Sequence, residues 1–171
     1  MARSAEQSAR ERGSSHVVLL WVFSTLFAFR VAAQLVQHAS PIGVLPPFEA
    51  WQGSSLRYPV LLTTQLVILA ALVLGATAVT RRARANRQIG AWLLALGSVY
   101  FVSMSARLVL GLTLLAQVSW FAKSLPALFH MVLAGYILTL GHYHWAREFT
   151  SAVGVSPEPA LPRPERSTPP R

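Results

Sequence analysis

Four long apolar blocks, separated by short polar connections, constrain this chain more than any other feature of its sequence. The blocks cover residues 16–37, 58–79, 89–115 and 124–144, and as an α-helix each is long enough to cross a bilayer core of about 30 Å. Only 12% of the 171 residues are charged, about half the fraction found in soluble domains. The sequence therefore predicts an all-α membrane protein, with residues 16–145 folded as a four-transmembrane-helix bundle.

The segments that flank the four blocks are polar. Residues 1–15 mix arginine with glutamate, and residues 146–171 are rich in proline and arginine, a composition typical of a disordered tail. The first connection contains Pro41, Pro46 and Pro47, which end or kink helices. It also contains Trp51, a residue favoured at membrane interfaces, so we expect this connection to lie along the membrane surface.

The basic residues are distributed unevenly between the two sides of the membrane. One side would hold the arginines of residues 1–15, of residues 81–87 and of the tail, whereas the other would hold only Arg57 and Lys123. Since basic residues are retained on the cytoplasmic side, we expect both termini in the cytoplasm, the N-in/C-in orientation in the inner (plasma) membrane. This distribution accounts for the net charge of +9 without nucleic acid as a partner, because the basic residues form no single face.

The first block has a second interpretation. A basic start, an apolar run and the small residues 31–33 resemble a cleavable signal peptide, whose removal would leave three spans. The apolar character continues to Leu35 and Val36, which completes a full transmembrane length. We therefore expect a retained helix.

The composition excludes several kinds of site. The chain has no cysteine, which excludes thiol redox chemistry, disulfides and cysteine-ligated metals. All six acidic residues are glutamates, and Glu49 is the only one outside the terminal segments. Carboxylate-pair hydrolysis and carboxylate-bound metal centres each need two such groups at one site. Neither is predicted, and no sequence motif specifies a reaction.

Each block carries one polar residue at a similar depth. Counted at 1.5 Å per residue, these four residues lie roughly 10 Å below the outer interface. They are Arg30, Gln65, Arg107 and His130. Ionisable residues inside a span are costly and by default suggest function. Helical spacing adds Gln34 to the face of Arg30 and Tyr100 to the face of Arg107, so we expect a polar layer inside the bundle.

The charge of this layer indicates a ligand. Its two arginines share at most one carboxylate, that of Glu49, and surplus buried charge calls for an anionic or strongly accepting partner. We therefore predict a site for a polar or anionic amphipathic molecule, either a membrane lipid or a quinone-like compound. The predicted site residues are Arg30, Gln34, Glu49, Gln65, Tyr100, Arg107 and His130.

Two other functions fit the same residues. A buried Gln or His commonly bonds a neighbouring helix, and Arg30 could snorkel to the headgroups. The protein would then be a non-catalytic accessory or assembly subunit, with other membrane subunits as partners. Alternatively, the protein is a membrane-embedded enzyme in which His130 acts as a general base and the arginines stabilise an oxyanion.

The histidines raise one cofactor hypothesis. Binding of haem b needs two imidazoles that face each other from different helices at one depth. Only His16 on the first helix and His142 or His144 on the fourth meet the depth condition. Nothing in the sequence requires this cofactor, and no metal site is predicted.

Overall fold

The computed structural model describes the backbone of residues 2–51, 56–81, 84–113 and 124–153, and side chains from residue 14 to residue 146 within these ranges. This part of the chain is helical and contains no strand. Its elements are α1 (Ala2–Ala39), α2 (Phe48–Trp51), α3 (Tyr58–Thr80), α4 (Arg87–Leu112) and α5 (Ser124–Val153).

Four of these helices contain segments long and apolar enough to cross a membrane. The segments are Ser14–Ala39, Tyr58–Thr80, Arg87–Leu112 and Ser124–Ala146. The predicted all-helical fold with four candidate spans is therefore confirmed, and the chain has the features of a multi-pass membrane protein. The N-in/C-in orientation stays a prediction.

The helices extend beyond the apolar blocks at two places. Helix α1 begins at Ala2 and α5 continues to Val153, because the polar residues next to both blocks include several with good helix propensity, such as Ala, Glu and Arg. Helix α4 ends at Leu112, and the predicted end of this block at residue 115 lies outside the described residues. Residues 154–171, most of the predicted disordered tail, also lie outside them.

Local signals explain where α3 and α4 begin. Pro59 lies in the first turn of α3, where a missing N–H breaks no helical hydrogen bond. Asn86 caps α4: its side-chain oxygen accepts hydrogen bonds from the backbone N–H groups of Gln88, at 2.9 Å, and Ile89, at 3.2 Å. A side chain that accepts such bonds stabilises a helix start.

The helices pack in the order α3, α1, α5, α4. Helix α1 contacts both α3 and α5, and α4 packs chiefly against α5. A buried apolar cluster fills the space between α1, α3 and α5. Its members are Leu20, Phe27, Val31, Leu72, Ala76, Val79, Tyr136 and Tyr143. The hydroxyl of Tyr136 also donates a 2.6 Å hydrogen bond to the carbonyl of Leu72, which connects α5 to α3.

Small residues allow α4 and α5 to approach each other closely. A Cβ atom on Gly90 would lie 2.8 Å from the backbone nitrogen of Trp145, and one on Gly141 would lie 2.9 Å from that of Leu94. On α5, Ala127 and Ala134 continue the seven-residue spacing of Gly141, and both are fully buried. Such spacing keeps one seam of small residues facing the partner helix.

Candidate functional site

Arg30 is buried inside the bundle. It is only 6% exposed, so other parts of the protein cover it. Its Nη2 donates a 3.3 Å hydrogen bond to the carbonyl of Trp51 in α2, and its Cζ lies 5.5 Å from the ring centroid of Phe129 in α5. Its Nε has no hydrogen-bond partner among the described residues. These contacts provide a carbonyl and an aromatic face but no negative charge.

Gln34 and Gln65 connect α1 to α3. Both side chains are buried, at 0% and 3% exposure, and Gln65 Nε2 donates a 2.9 Å hydrogen bond to Gln34 Oε1. Within the described part of the chain, the other amide atoms, Gln34 Nε2 and Gln65 Oε1, have no partner. A single hydrogen bond therefore leaves one donor and one acceptor free in the bundle interior.

Gln37, near the end of α1, forms hydrogen bonds with the connection that leads to α2. Gln37 Nε2 donates to the carbonyls of Ile42 and Leu45, both at 3.3 Å, and its Oε1 accepts from the N–H of Ile42 at 2.8 Å. The indole of Trp51 donates a 2.9 Å bond to the carbonyl of Pro46. These local bonds support the position of Trp51 beside Arg30.

The other half of the layer lies on α4 and α5. Arg107 is 8% exposed on α4. Nδ1 of His130 hydrogen-bonds the carbonyl of Pro126, and its ring meets Tyr100 edge to face, with centroids 6.0 Å apart. Both Arg30 and Arg107 are close enough to interact electrostatically with His130. His130 thus lies in the electrostatic field of two arginines, one on α1 and one on α4.

Glu49 is not part of these described contacts. It is exposed on α2, and the described contacts of Arg30 are with Trp51 and Phe129 instead. Glu49 is also the only acidic residue whose side chain the structure describes. Glu49 is predicted to take part in ligand binding as a counter-charge, and the structure describes no contact between it and Arg30.

Two aromatic residues at the site were missed from the sequence. Trp51 is 4% exposed, and its ring lies 6.1 Å from that of Phe129, centroid to centroid. The carbonyl of Trp51 accepts a hydrogen bond from Arg30, and the ring of Phe129 lies near the guanidinium. Trp51 was assigned to the membrane surface, and no spacing rule relates it to Arg30 across a proline-rich connection. For Phe129, the available signal in the sequence was its position next to the predicted site residue His130.

The histidines at the opposite end do not fit haem b. His16 Nε2 and His142 Nδ1 are 2.7 Å apart and are hydrogen-bonded. Two nitrogens on opposite sides of a metal need about 4 Å between them, twice a metal–nitrogen bond of about 2 Å. His144 is engaged elsewhere, since its Nδ1 accepts a 3.1 Å bond from the N–H of Asn86. Among the described residues, no three potential metal ligands cluster.

Two pairs among the predicted site residues are in contact: Gln34 with Gln65, and Tyr100 with His130. Arg30 contacts Trp51 and Phe129 instead, and Glu49 is exposed. Comparison with known proteins adds no function, since no family model, curated protein or solved structure matches this chain.

Proposed function

We propose that the protein binds a polar or anionic amphipathic molecule, lipid-like or quinone-like, at the polar layer of its bundle. The observation that carries this proposal is the burial of Arg30, whose described contacts include no anion. A charge inside a bundle is costly unless it is paired. An anionic headgroup would offset that cost through charge-assisted hydrogen bonds, which are about twice as strong as neutral ones.

The glutamine pair supports the same location. Gln34 follows Arg30 by one helical turn on α1, and the pair has spare hydrogen-bonding capacity. A buried water molecule could satisfy an amide, but it would not neutralise the guanidinium of Arg30. A ligand with an acidic head supplies the negative charge and accepts hydrogen bonds.

The route of entry follows from the predicted orientation. If both termini are cytoplasmic, the end of α1 that holds Arg30 and Gln34 faces the outer leaflet. The head of the ligand would then enter from that leaflet. Its apolar part would lie between helices or among the surrounding lipids.

One observation favours the alternative of an accessory or assembly subunit. The Gln34–Gln65 hydrogen bond joins α1 to α3, which is the usual role of isolated polar residues in membrane helices. Under this alternative the polar layer only stabilises the bundle. The enzyme alternative, with His130 as base and Arg30 and Arg107 stabilising charge, requires ligand binding first and is secondary to it.

Native mass spectrometry of protein purified in mild detergent tests the proposal. We expect a bound species of defined mass on the wild type. Arg30→Gln should strongly reduce its occupancy, because the buried charge is lost. Arg57→Gln should not, because Arg57 is exposed before α3. A wild type that is free of ligand, or equal occupancy in the Arg30→Gln variant, would favour the accessory role.

A further inference from the structure

Three unpaired polar atoms determine which hydrogen-bonding groups the ligand must have. Arg30 Nε and Gln34 Nε2 are hydrogen-bond donors, and Gln65 Oε1 is an acceptor. All three are shielded from solvent, and none has a partner among the described residues. A ligand that completes this site must accept hydrogen bonds at one point and also donate one.

The requirement does not depend on how the two amides are turned. Exchanging oxygen and nitrogen in both glutamines reverses the 2.9 Å hydrogen bond between them. One N–H donor and one carbonyl acceptor still remain free, because each amide uses only one of its two polar atoms in that bond. The glutamine pair therefore keeps one free donor and one free acceptor in either assignment.

We propose that the ligand is an anionic amphiphile with a hydroxyl group close to its anionic oxygens. This inference rests on the proposed function and names the chemical class of its ligand. The anionic oxygens would accept from Arg30, whereas the hydroxyl would donate to the free amide oxygen and accept from the free amide N–H. A hydroxyl group suits this pair because one oxygen atom both donates and accepts.

Other headgroups satisfy the site less well. A quinone carbonyl only accepts, so it leaves the amide oxygen of the glutamine pair buried without a donor, which is costly. An ammonium headgroup donates hydrogen bonds, but it brings a second positive charge towards Arg30. A simple anion without a hydroxyl satisfies Arg30 and leaves the amide oxygen unmatched.

The spacing along α1 fits a short polar headgroup. Arg30 and Gln34 are four residues apart, a rise of about 6 Å. A phosphodiester that continues into a short polyol can span such a distance. Because Arg30, Gln34 and Gln65 lie within candidate membrane spans, an amphiphile that enters from the membrane fits better than a water-soluble ion.

Competition between two matched lipids tests the inference. Phosphatidylglycerol carries a phosphodiester and hydroxyl groups, and phosphatidylmethanol carries the same charge without a hydroxyl. With equal amounts of both in the micelle, we expect native mass spectrometry to show about fivefold more phosphatidylglycerol on the wild type, the factor for one net hydrogen bond. Both lipids should outcompete phosphatidylcholine, whose head carries no net negative charge.

Two variants assign the preference to residues. Gln65→Met should reduce the preference for phosphatidylglycerol, because the hydroxyl loses its partner on Gln65. Gln88→Met is the matched control at an exposed glutamine and should keep the wild-type ratio. Arg30→Gln should weaken binding of both anionic lipids relative to phosphatidylcholine. An unchanged lipid ratio in Gln65→Met would overturn the assignment to the glutamine pair.

Three outcomes distinguish this inference from the proposed function. The first two are measured on the wild type alone. Equal binding of the two anionic lipids would overturn the hydroxyl requirement and leave anion binding intact. No preference of either lipid over phosphatidylcholine would overturn the proposed function itself. Displacement of the bound lipid by equimolar glycerol phosphate would show a site for soluble anions and overturn the assignment to an amphiphile.

Discussion

Two helix contacts in this bundle are built on opposite principles. Between α4 and α5, Gly90 and Gly141 bring the two backbones so close that an added Cβ would lie under 3 Å from the other helix. Between α1 and α3, the fully buried Gln34 meets Gln65 through one hydrogen bond, and each amide keeps one polar atom free. The first contact has no space for another group, whereas the second has hydrogen-bonding capacity that its own residues do not use.

This difference suggests a structural role for the α4–α5 contact and a ligand-binding role for the α1–α3 contact. A contact made by small residues gains its stability from van der Waals packing and admits only small adjustments. A contact with free polar atoms is incomplete until a further group satisfies them, because unsatisfied buried polar groups are costly. We therefore expect the α4–α5 pair to act as a frame, and the region around Arg30, Gln34 and Gln65 to carry specificity.

The largest expected effect concerns the side of the membrane that this polar contact faces. The chain has no cysteine, so single cysteines can be labelled selectively. Val44→Cys, at a position 92% exposed after α1, should react with an impermeant thiol reagent in intact cells. Arg84→Cys, exposed before α4, should react only after lysis. The reverse pattern would place the polar contact towards the inner leaflet.

Gly90→Val should strongly destabilise the frame. Its side chain would meet the backbone of α5, 2.8 Å from the nitrogen of Trp145 and 3.0 Å from the carbonyl oxygen of Gly141, and such overpacking costs about 3 kcal/mol at the upper end of its usual range. The matched control is Gly43→Val, because nothing lies within 4 Å of a Cβ at Gly43. Thermal unfolding in detergent should separate the two variants. Equal midpoints would mean that α4 and α5 do not pack this closely.

Arg30→Gln should lower stability only when ligand is present. In lipid-free detergent the variant should be at least as stable as the wild type, because a buried charge without a described anionic contact is removed. Anionic lipid at 100 times its dissociation constant should stabilise the wild type by about 2.7 kcal/mol and the variant far less. A variant that is markedly less stable without lipid would show that Arg30 serves the bundle itself.

The smallest effect is expected at the glutamine pair. In lipid-free detergent, Gln34→Leu or Gln65→Leu alone strands the other amide, whereas the double substitution removes both polar groups and should be nearly neutral. A double-mutant cycle should give a coupling of about 0.6 kcal/mol, the average for hydrogen bonds between membrane helices. A coupling near zero would mean that the two amides do not meet, and the contrast with the α4–α5 contact would disappear.

The sequence predicted the four spans because the length and apolar character of a segment are local properties. It also predicted that Arg30, Gln65, Arg107 and His130 lie inside the spans, since depth follows from residue counting along a helix. Helix ends were less predictable. Polar residues continue α1 to Ala2 and α5 to Val153, and a hydropathy boundary does not detect them.

The contacts within the polar layer were decided by the tertiary structure alone. Depth along a helix does not determine its rotation or its neighbour, so residue counting could not show that the amide of Gln34 meets Gln65. Nor could it show that the carbonyl of Trp51 accepts a hydrogen bond from Arg30 while Glu49, two residues earlier, stays exposed. The sequence by itself determined which residues form the candidate membrane spans. The packing of α1 between α3 and α5 decided which of them touch, because contact depends on helix rotation and separation in three dimensions.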